Sequence, residues 1–175
     1  MTTCKPCPTG QYQDATGQAS CKDCAAGSYV NNEATSCTAC AAGKASSTGN
    51  VVGEANCQAC TGGKYQNLQG QTSCKACTDG KFQNLEGQAS CKNCGAGKQA
   101  TNEAKQCTNC PAGKYNDMPN TACKDCLVSQ NQYQPSEGKQ SCLTTDTCSA
   151  GQRVDPVATA ISDLGCVLCE KGRRA

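Results

Sequence analysis

The stretch Cys4-Lys5-Pro6-Cys7-Pro8-Thr9-Gly10-Gln11-Tyr12, closed by Gly17-Gln18-Ala19-Ser20-Cys21-Lys22-Asp23-Cys24, sets out a pattern that recurs along the chain. A C-x-x-C pair is followed by a glycine three residues on, then an aromatic residue, then a second glycine shortly before the next pair. The pairs recur at Cys21/Cys24, Cys37/Cys40, Cys57/Cys60, Cys74/Cys77, Cys91/Cys94, Cys107/Cys110, Cys123/Cys126 and Cys166/Cys169, with Cys142/Cys148 as the stretched exception. Steps of 16 to 24 residues separate them, so a tandem array fills the sequence.

The non-cysteine marks carry geometry. The first glycine recurs at Gly10, Gly27, Gly43, Gly63, Gly80, Gly97, Gly113, Gly151 and Gly172. Cys7-Pro8-Thr9-Gly10 and Cys110-Pro111-Ala112-Gly113 have Pro second and Gly fourth, the preference of a type I turn. Tyr12, Tyr29, Tyr65, Phe82 and Tyr115 follow two residues after that glycine, where a short strand would present them over the neighbouring bridge or to a sugar or protein ligand. Gly17, Gly53, Gly70, Gly87 and Gly138 mark a second turn. Each repeat therefore reads turn, short strand, turn, short strand. The segments Cys60 to Cys77 and Cys77 to Cys94 are near copies, which favours a structural role over a diversified site.

Composition excludes an ordinary core. Six Leu, seven Val, one Ile and one Phe, with no Trp, stand among 175 residues. That is far below the ~20% needed for a chain held by burial alone. Twenty Cys supply the alternative, a disulfide scaffold of an oxidising compartment. The net charge of +2 comes from scattered Lys, Asp and Glu, so no basic stripe points to nucleic acid or anionic lipid. No apolar run approaches the ~18 residues of a membrane span. Met1-Thr2-Thr3-Cys4 enters the array with no apolar leader, as a mature product or a piece of a longer array would. No N-x-S/T sequon occurs, while O-linked sugar on Ser and Thr is compatible with the composition.

The motif C-x-x-C-P-x-G-x-Y followed by G-x-x-S-C-x-x-C resembles the ephrin-receptor-like cysteine-rich repeat, and is similar to the small first module of tumour-necrosis-factor-receptor-type repeats. The likeness runs from residue 4 to about 126 and weakens at Ser129 and at Cys142 to Cys148. It implies an extracellular ladder in which the Cys before each turn bonds the Cys that closes the segment. On that pattern the expected bridges are Cys7 to Cys21, Cys24 to Cys37, Cys40 to Cys57, Cys60 to Cys74, Cys77 to Cys91, Cys94 to Cys107, Cys110 to Cys123, Cys126 to Cys142 and Cys148 to Cys166. A crossed scheme, Cys4 to Cys21 with Cys7 to Cys24, is the rival; it would group repeats in twos, against their uniform marks. A loop of ~15 residues closed by a bridge contributes ~3 kcal/mol in the chain-entropy account, enough for serial bridges to replace a core. The expected fold is a small disulfide-rich one: an elongated, solenoid-like ladder of short β-hairpin repeats, with little helix and no conventional hydrophobic core. Regular repeats are expected over 1–126 and irregular ones with longer loops over 127–175. If each repeat advances by a short strand and touches mainly its neighbours, the rod is on the order of 100 Å long.

Other chemistries fit less well. Paired C-x-x-C motifs also bind zinc, but zinc modules take pairs two at a time, whereas every segment here carries the same marks. Thioredoxin-type redox use needs one exposed motif on a βαβ scaffold. Without His or a fixed set of carboxylates no catalytic site, metal site or cofactor is expected. Asp14, Glu33, Asp79, Glu86, Glu103 and Asp117 read as solvated surface at unrelated repeat positions. Val154 to Gly165 is the outlier: Val157, Ala158, Ala160, Ile161 and Leu164 have helical spacing, as a turn covering the last staple or as a docking patch.

These features lead to an extracellular structural subunit of a filament or surface fibre, with a receptor-like ectodomain for a protein or glycan ligand as the alternative and a multi-zinc protein as a minor one. Nine serial bridges leave Cys4 and Cys169, halves of a split repeat, so a homo-oligomer joined head to tail is expected.

Overall fold

The structure is a computed structural model that describes residues 3–144, 149–150, 152–154, 159–160, 166–169 and 171. Cys148, Gly151, Gly172 and the positions Val157, Ala158, Ile161, Leu164 and Gly165 lie outside them. The described chain forms two compact units, Met1–Thr78 with Phe82–Lys92 and Glu103–Lys105, and Asp79–Lys81 with Asn93–Asn102 and Gln106–Ala175.

Both units are built from two-stranded sheets of two or three residues per strand. Gln11–Tyr12 pairs with Lys22–Asp23, Ser28–Val30 with Cys37–Ala39, Lys44–Ala45 with Gln58–Ala59, and Lys64–Tyr65 with Lys75–Ala76. Lys81–Phe82 and Lys92–Asn93 form the fifth sheet. Lys98–Ala100 with Cys107–Asn109, Lys114–Tyr115 with Lys124–Asp125, Gln132–Tyr133 with Leu143–Thr144, and Gln152–Val154 with Cys166–Leu168 follow. Every pair with a described register is antiparallel. Helix is confined to three short 3-10 turns among the described residues.

The bridges run serially: Cys7–Cys21, Cys24–Cys37, Cys40–Cys57, Cys60–Cys74, Cys77–Cys91, Cys94–Cys107, Cys110–Cys123 and Cys126–Cys142. We number the repeats one to eight by these bridges. Isolated hairpins this short would not persist in water. The bridges hold their ends, and backbone hydrogen bonds stack them.

The opening turn differs from the type I reading in register. Its hydrogen bond runs from the residue after the glycine, as in Gln11 N to Pro8 O at 3.0 Å and Lys114 N to Pro111 O at 3.1 Å. The glycine is thus third in the turn, with φ of 87° at Gly10 and 83° at Gly113, which is the requirement of a type II turn. A type I turn would have spent the glycine N–H within the turn. Here that N–H is free to reach the next repeat: Gly27 to Ser46 O, Gly43 to Gln66 O, Gly63 to Gln83 O, Gly97 to Asn116 O and Gly113 to Gln134 O, all at 2.7 to 2.8 Å.

The same glycine also reaches the repeat after next. A Cβ at Gly27 would stand 2.2 Å from Gly70 O, at Gly43 2.0 Å from Gly87 O, at Gly80 2.4 Å from Asn120 O and at Gly97 2.2 Å from Gly138 O. Contact therefore extends beyond adjacent repeats, which corrects the expectation of mainly nearest-neighbour packing. The glycine is needed twice over, for its positive φ and because another backbone occupies the space of a side chain.

A polar residue fills much of the interior. Gln66, Gln83, Asn116 and Gln134 are buried directly after the aromatic of their repeats. Each amide closes its own loop: Gln66 Nε2 donates to Ser73 O at 2.8 Å while its Oε1 accepts from Leu68 N at 3.1 Å, and Gln83 repeats both bonds with Ser90 and Leu85. A buried amide satisfied at both ends avoids the desolvation cost that would otherwise exclude it.

The eighth repeat explains the missing glycine at Ser129. Val128–Gln130 forms a 3-10 turn, and Asn131 with φ 56° takes the left-handed position two residues late. Tyr133 then stands two residues past Asn131, as Tyr12 does past Gly10, and Gln134 is buried as before. Asn tolerates this conformation better than most side chains. Beyond it, Val154 lies in a strand and Ala160 O accepts from Gln134 N at 2.8 Å.

Candidate functional site

The cysteines that are not consumed by the ladder mark its ends. Cys4 is exposed and Cys169 half-buried, and both are free thiols. Each belongs to a C-x-x-C pair whose other member is bridged: Cys7 to Cys21, and Cys166 to a partner outside the described residues. A bridged sulfur has no thiolate to offer zinc, so the eight bridges remove the zinc reading for their sixteen cysteines. Among the described residues no cluster of three or more His, Cys, Asp or Glu could hold a metal ion.

The aromatic residues define the second feature. All are half-buried on the first strand of their hairpins; a lysine follows the closing Cys in the repeats of Tyr12, Tyr65, Phe82 and Tyr115, whereas Tyr29 faces Thr38 and Tyr133 faces Leu143. Tyr12 faces Lys22, Tyr65 faces Lys75 and Tyr115 faces Lys124 across the strands. The ammonium lies 6.0 Å from the Tyr12 ring, 5.9 Å from Phe82 for Lys92 and 5.7 Å from Tyr115 for Lys124, within cation–π range.

The residue after the amide, which is half-buried at Gln13 and buried at Gln66, Gln83 and Asn116, completes this group. Lys22 donates to Asp14 at 2.6 Å and Lys124 to Asp117 at 2.7 Å, while Lys75 reaches Asn67 at 3.1 Å and Lys92 reaches Asn84 at 2.8 Å. Asp14 and Asp117 thus share one repeat position, which corrects their reading as unrelated surface charges. The hydrogen bond from Lys22 holds the Asp14 carboxyl below its usual range and raises the lysine, and Lys124 does the same with Asp117. Glu103 is lowered by its hydrogen bond from Lys105. All of these groups are solvated, and the arrangement orders a surface.

Serial bridges, paired hairpins and turn-to-turn stacking define a tandem array of disulfide-stapled cysteine-rich repeats. The family described as tyrosine-protein kinase ephrin type A/B receptor-like matches residues 1–30 and 63–105. The chain is similar to that family over these stretches, and the resemblance is to a non-catalytic ectodomain module. A search of curated proteins found no match. The disulfide content and the receptor-like match are properties of an extracellular or cell-surface protein. Among the described residues no helix is long and apolar enough to cross a membrane.

Sequence reasoning missed the buried amides and the lysine-bound Asp or Asn beside them. The signal was present: Tyr12-Gln13-Asp14, Tyr65-Gln66-Asn67, Phe82-Gln83-Asn84 and Tyr115-Asn116-Asp117 are one motif.

Proposed function

We propose that the chain is an extracellular scaffold subunit that joins further copies in series, with Cys169 of one chain bonded to Cys4 of the next. The observation that carries this reading is the pairing rule itself. Each bridge links the second Cys of one pair to the first Cys of the following pair, and the two free thiols are a second Cys, Cys169, and a first Cys, Cys4. Forming the joint oxidises two thiols to one disulfide, with an external disulfide or oxygen-driven oxidase accepting the two electrons and two protons. A contact of this kind repeats without closing unless the rotation closes it.

Non-reducing electrophoresis of the secreted chain tests the joint. A ladder of multimers that collapses with reductant, and that is lost in Cys4→Ser and in Cys169→Ser, is the expected result. A monomer with two titratable thiols overturns it. The ephrin-receptor-like match supports a second reading, a receptor-like ectodomain that presents its surface to a protein or glycan ligand. Under that reading both cysteine variants keep ligand binding and the wild-type chain stays monomeric.

A further inference from the structure

Repeats one, four and five match position for position from the aromatic to the closing cysteine: Tyr12 to Cys21, Tyr65 to Cys74 and Phe82 to Cys91. In repeat four, three main-chain groups are held by the repeat before it. Gly43 N donates to Gln66 O at 2.7 Å, Ser46 N donates to Gln71 O at 3.1 Å, and Gly70 N donates to Cys40 O at 2.8 Å. Repeat four holds repeat five at the same offsets: Gly63 N donates to Gln83 O at 2.7 Å, Gln66 N to Gln88 O at 3.2 Å, and Gly87 N to Cys60 O at 2.8 Å. Repeat eight makes the three bonds again with repeat seven, through Gln134 O, Lys139 O and Gly138 N. The joint between these repeats is a fixed main-chain contact.

Repeat one carries the same three groups, Gln13 O, Gln18 O and Gly17 N, and none is hydrogen-bonded to a described residue. Their exposure matches. Gly17 and Gln18 are exposed where Gly70, Gln71, Gly87 and Gln88 are half-buried, and Gln13 is half-buried where Gln66 and Gln83 are buried. A Cβ at Gly17 would meet nothing within 4 Å, whereas at Gly70 it would lie 3.6 Å from the Ala39 Cβ and at Gly87 3.7 Å from the Ala59 Cβ.

The last cysteine pair carries the complementary pieces. Ala39 and Ala59 stand directly before Cys40 and Cys60, the second cysteines of their pairs. Before Cys169 the same position holds Leu168, which at 76% is the most exposed of the large apolar residues described. The sequence offsets from Cys40 to Gly43 and Ser46 recur from Cys169 to Gly172 and Ala175.

We propose that the open face of repeat one docks the C-terminal end of a second copy of this chain, with Leu168 of that copy over Gly17 and its Cys169 O accepting from Gly17 N. The offsets then put its Gly172 N and Ala175 N in register with Gln13 O and Gln18 O. The proposal rests on the serial reading for the identity of the partner, and adds that main chain and Leu168 recognise it before any disulfide forms. Burial of Leu168 removes apolar surface from water, and the three bonds set the register. The Cys169 to Cys4 disulfide locks this contact, and the contact forms without it.

The test uses the full chain with both end thiols removed, Cys4→Ser together with Cys169→Ser, so that no covalent joint can form. Sedimentation velocity over a concentration series should show reversible self-association. The Gly17 amide should gain hydrogen-exchange protection as oligomers form, while the Gly70 amide, already bonded, should not change. Leu168→Asp, at an exposed position, should weaken association about tenfold or more. Gly17→Asn should do the same from the other side, because Asn accepts the left-handed backbone and fills the space over the glycine. A chain that stays monomeric overturns the proposal, as does association that either variant leaves unchanged. Disulfide-linked multimers of the wild-type chain without reversible association of the serine variant overturn the docking face alone. Reversible association without disulfide-linked multimers supports the face and overturns the covalent joint.

Discussion

Repeats three and four share a frame of bridge and turn glycine, though their bridged cysteines stand 17 and 14 residues apart, and they differ in what fills it. Both have the serial bridge, the left-handed glycine, the donation from that glycine to the next repeat and the reach to the repeat after next. Repeat four adds Tyr65 and Gln66; repeat three has Ala45 and Ser46 in their places, and a cavity. The frame is thus sufficient to place the strands, and the ring and amide are additions to it. This differs from an ordinary domain, in which removing the largest interior side chains removes the reason for the fold.

Breaking the frame should have the largest effect, and an equal one in both repeats. Gly43→Ala and Gly63→Ala place a Cβ 2.0 Å from Gly87 O and 1.8 Å from Glu103 O, at φ of 85° and 81°. Each should cost more than about 3 kcal/mol, since left-handed strain alone is ~1 to 2 kcal/mol and backbone must also move. Gly17→Ala is the control: with nothing within 4 Å of its Cβ, it should cost only the strain. Denaturant unfolding with the bridges intact measures all three.

Removing the filling should separate the repeats. Gln66→Ala opens a void and strands Ser73 O and Leu68 N, for about 2 to 3 kcal/mol, whereas Ser46→Ala should cost about 1 kcal/mol. Equal losses would mean that the amide is not what fills repeat four. Ala34→Gly and Ala104→Gly should stabilise by about 1 kcal/mol each, because these alanines hold φ of 53° and 51° where other repeats place Gly.

The smallest effect is one of pH. Asp14 and Asp117 have lowered folded-state pKa values, so their lysine bonds contribute above the ordinary carboxylate range and are lost as pH falls through the lowered values. Asn67 and Asn84 do the same work in repeats four and five without a titrating group. On acidification, amide exchange should therefore accelerate slightly around Lys22 and Lys124 and remain unchanged around Lys75 and Lys92.

The order of elements was legible because cysteine, glycine and aromatic residues recur at fixed spacings and each imposes a local geometry. What those spacings could not carry was the contact partner. Gly43 reads as a turn residue, and its second constraint comes from Gly87, in another repeat. Nothing in the spacing marks Gln66 and Gln83 as buried, since Gln is mostly exposed; their burial depends on a carbonyl and an N–H that the folded loop supplies. Asn131 was hidden because the fixed offset pointed to Ser129. The gap beside Ala45 was visible as a missing aromatic, but only the packed loop from Ser46 to Asn56 turns an absence into a cavity.

The reach from each turn glycine to the repeat after next is made by main chain on both sides. Such a joint does not depend on which side chains the meeting repeats carry, so one copy can follow another without matched substitutions. Recombination between copies can then lengthen or shorten the gene by whole repeats and leave every joint intact. The near copies Cys60 to Cys77 and Cys77 to Cys94 are the kind of neighbours such an exchange produces, and repeat three, with its ring and amide gone, is what a copy can become once the joints no longer require its side chains.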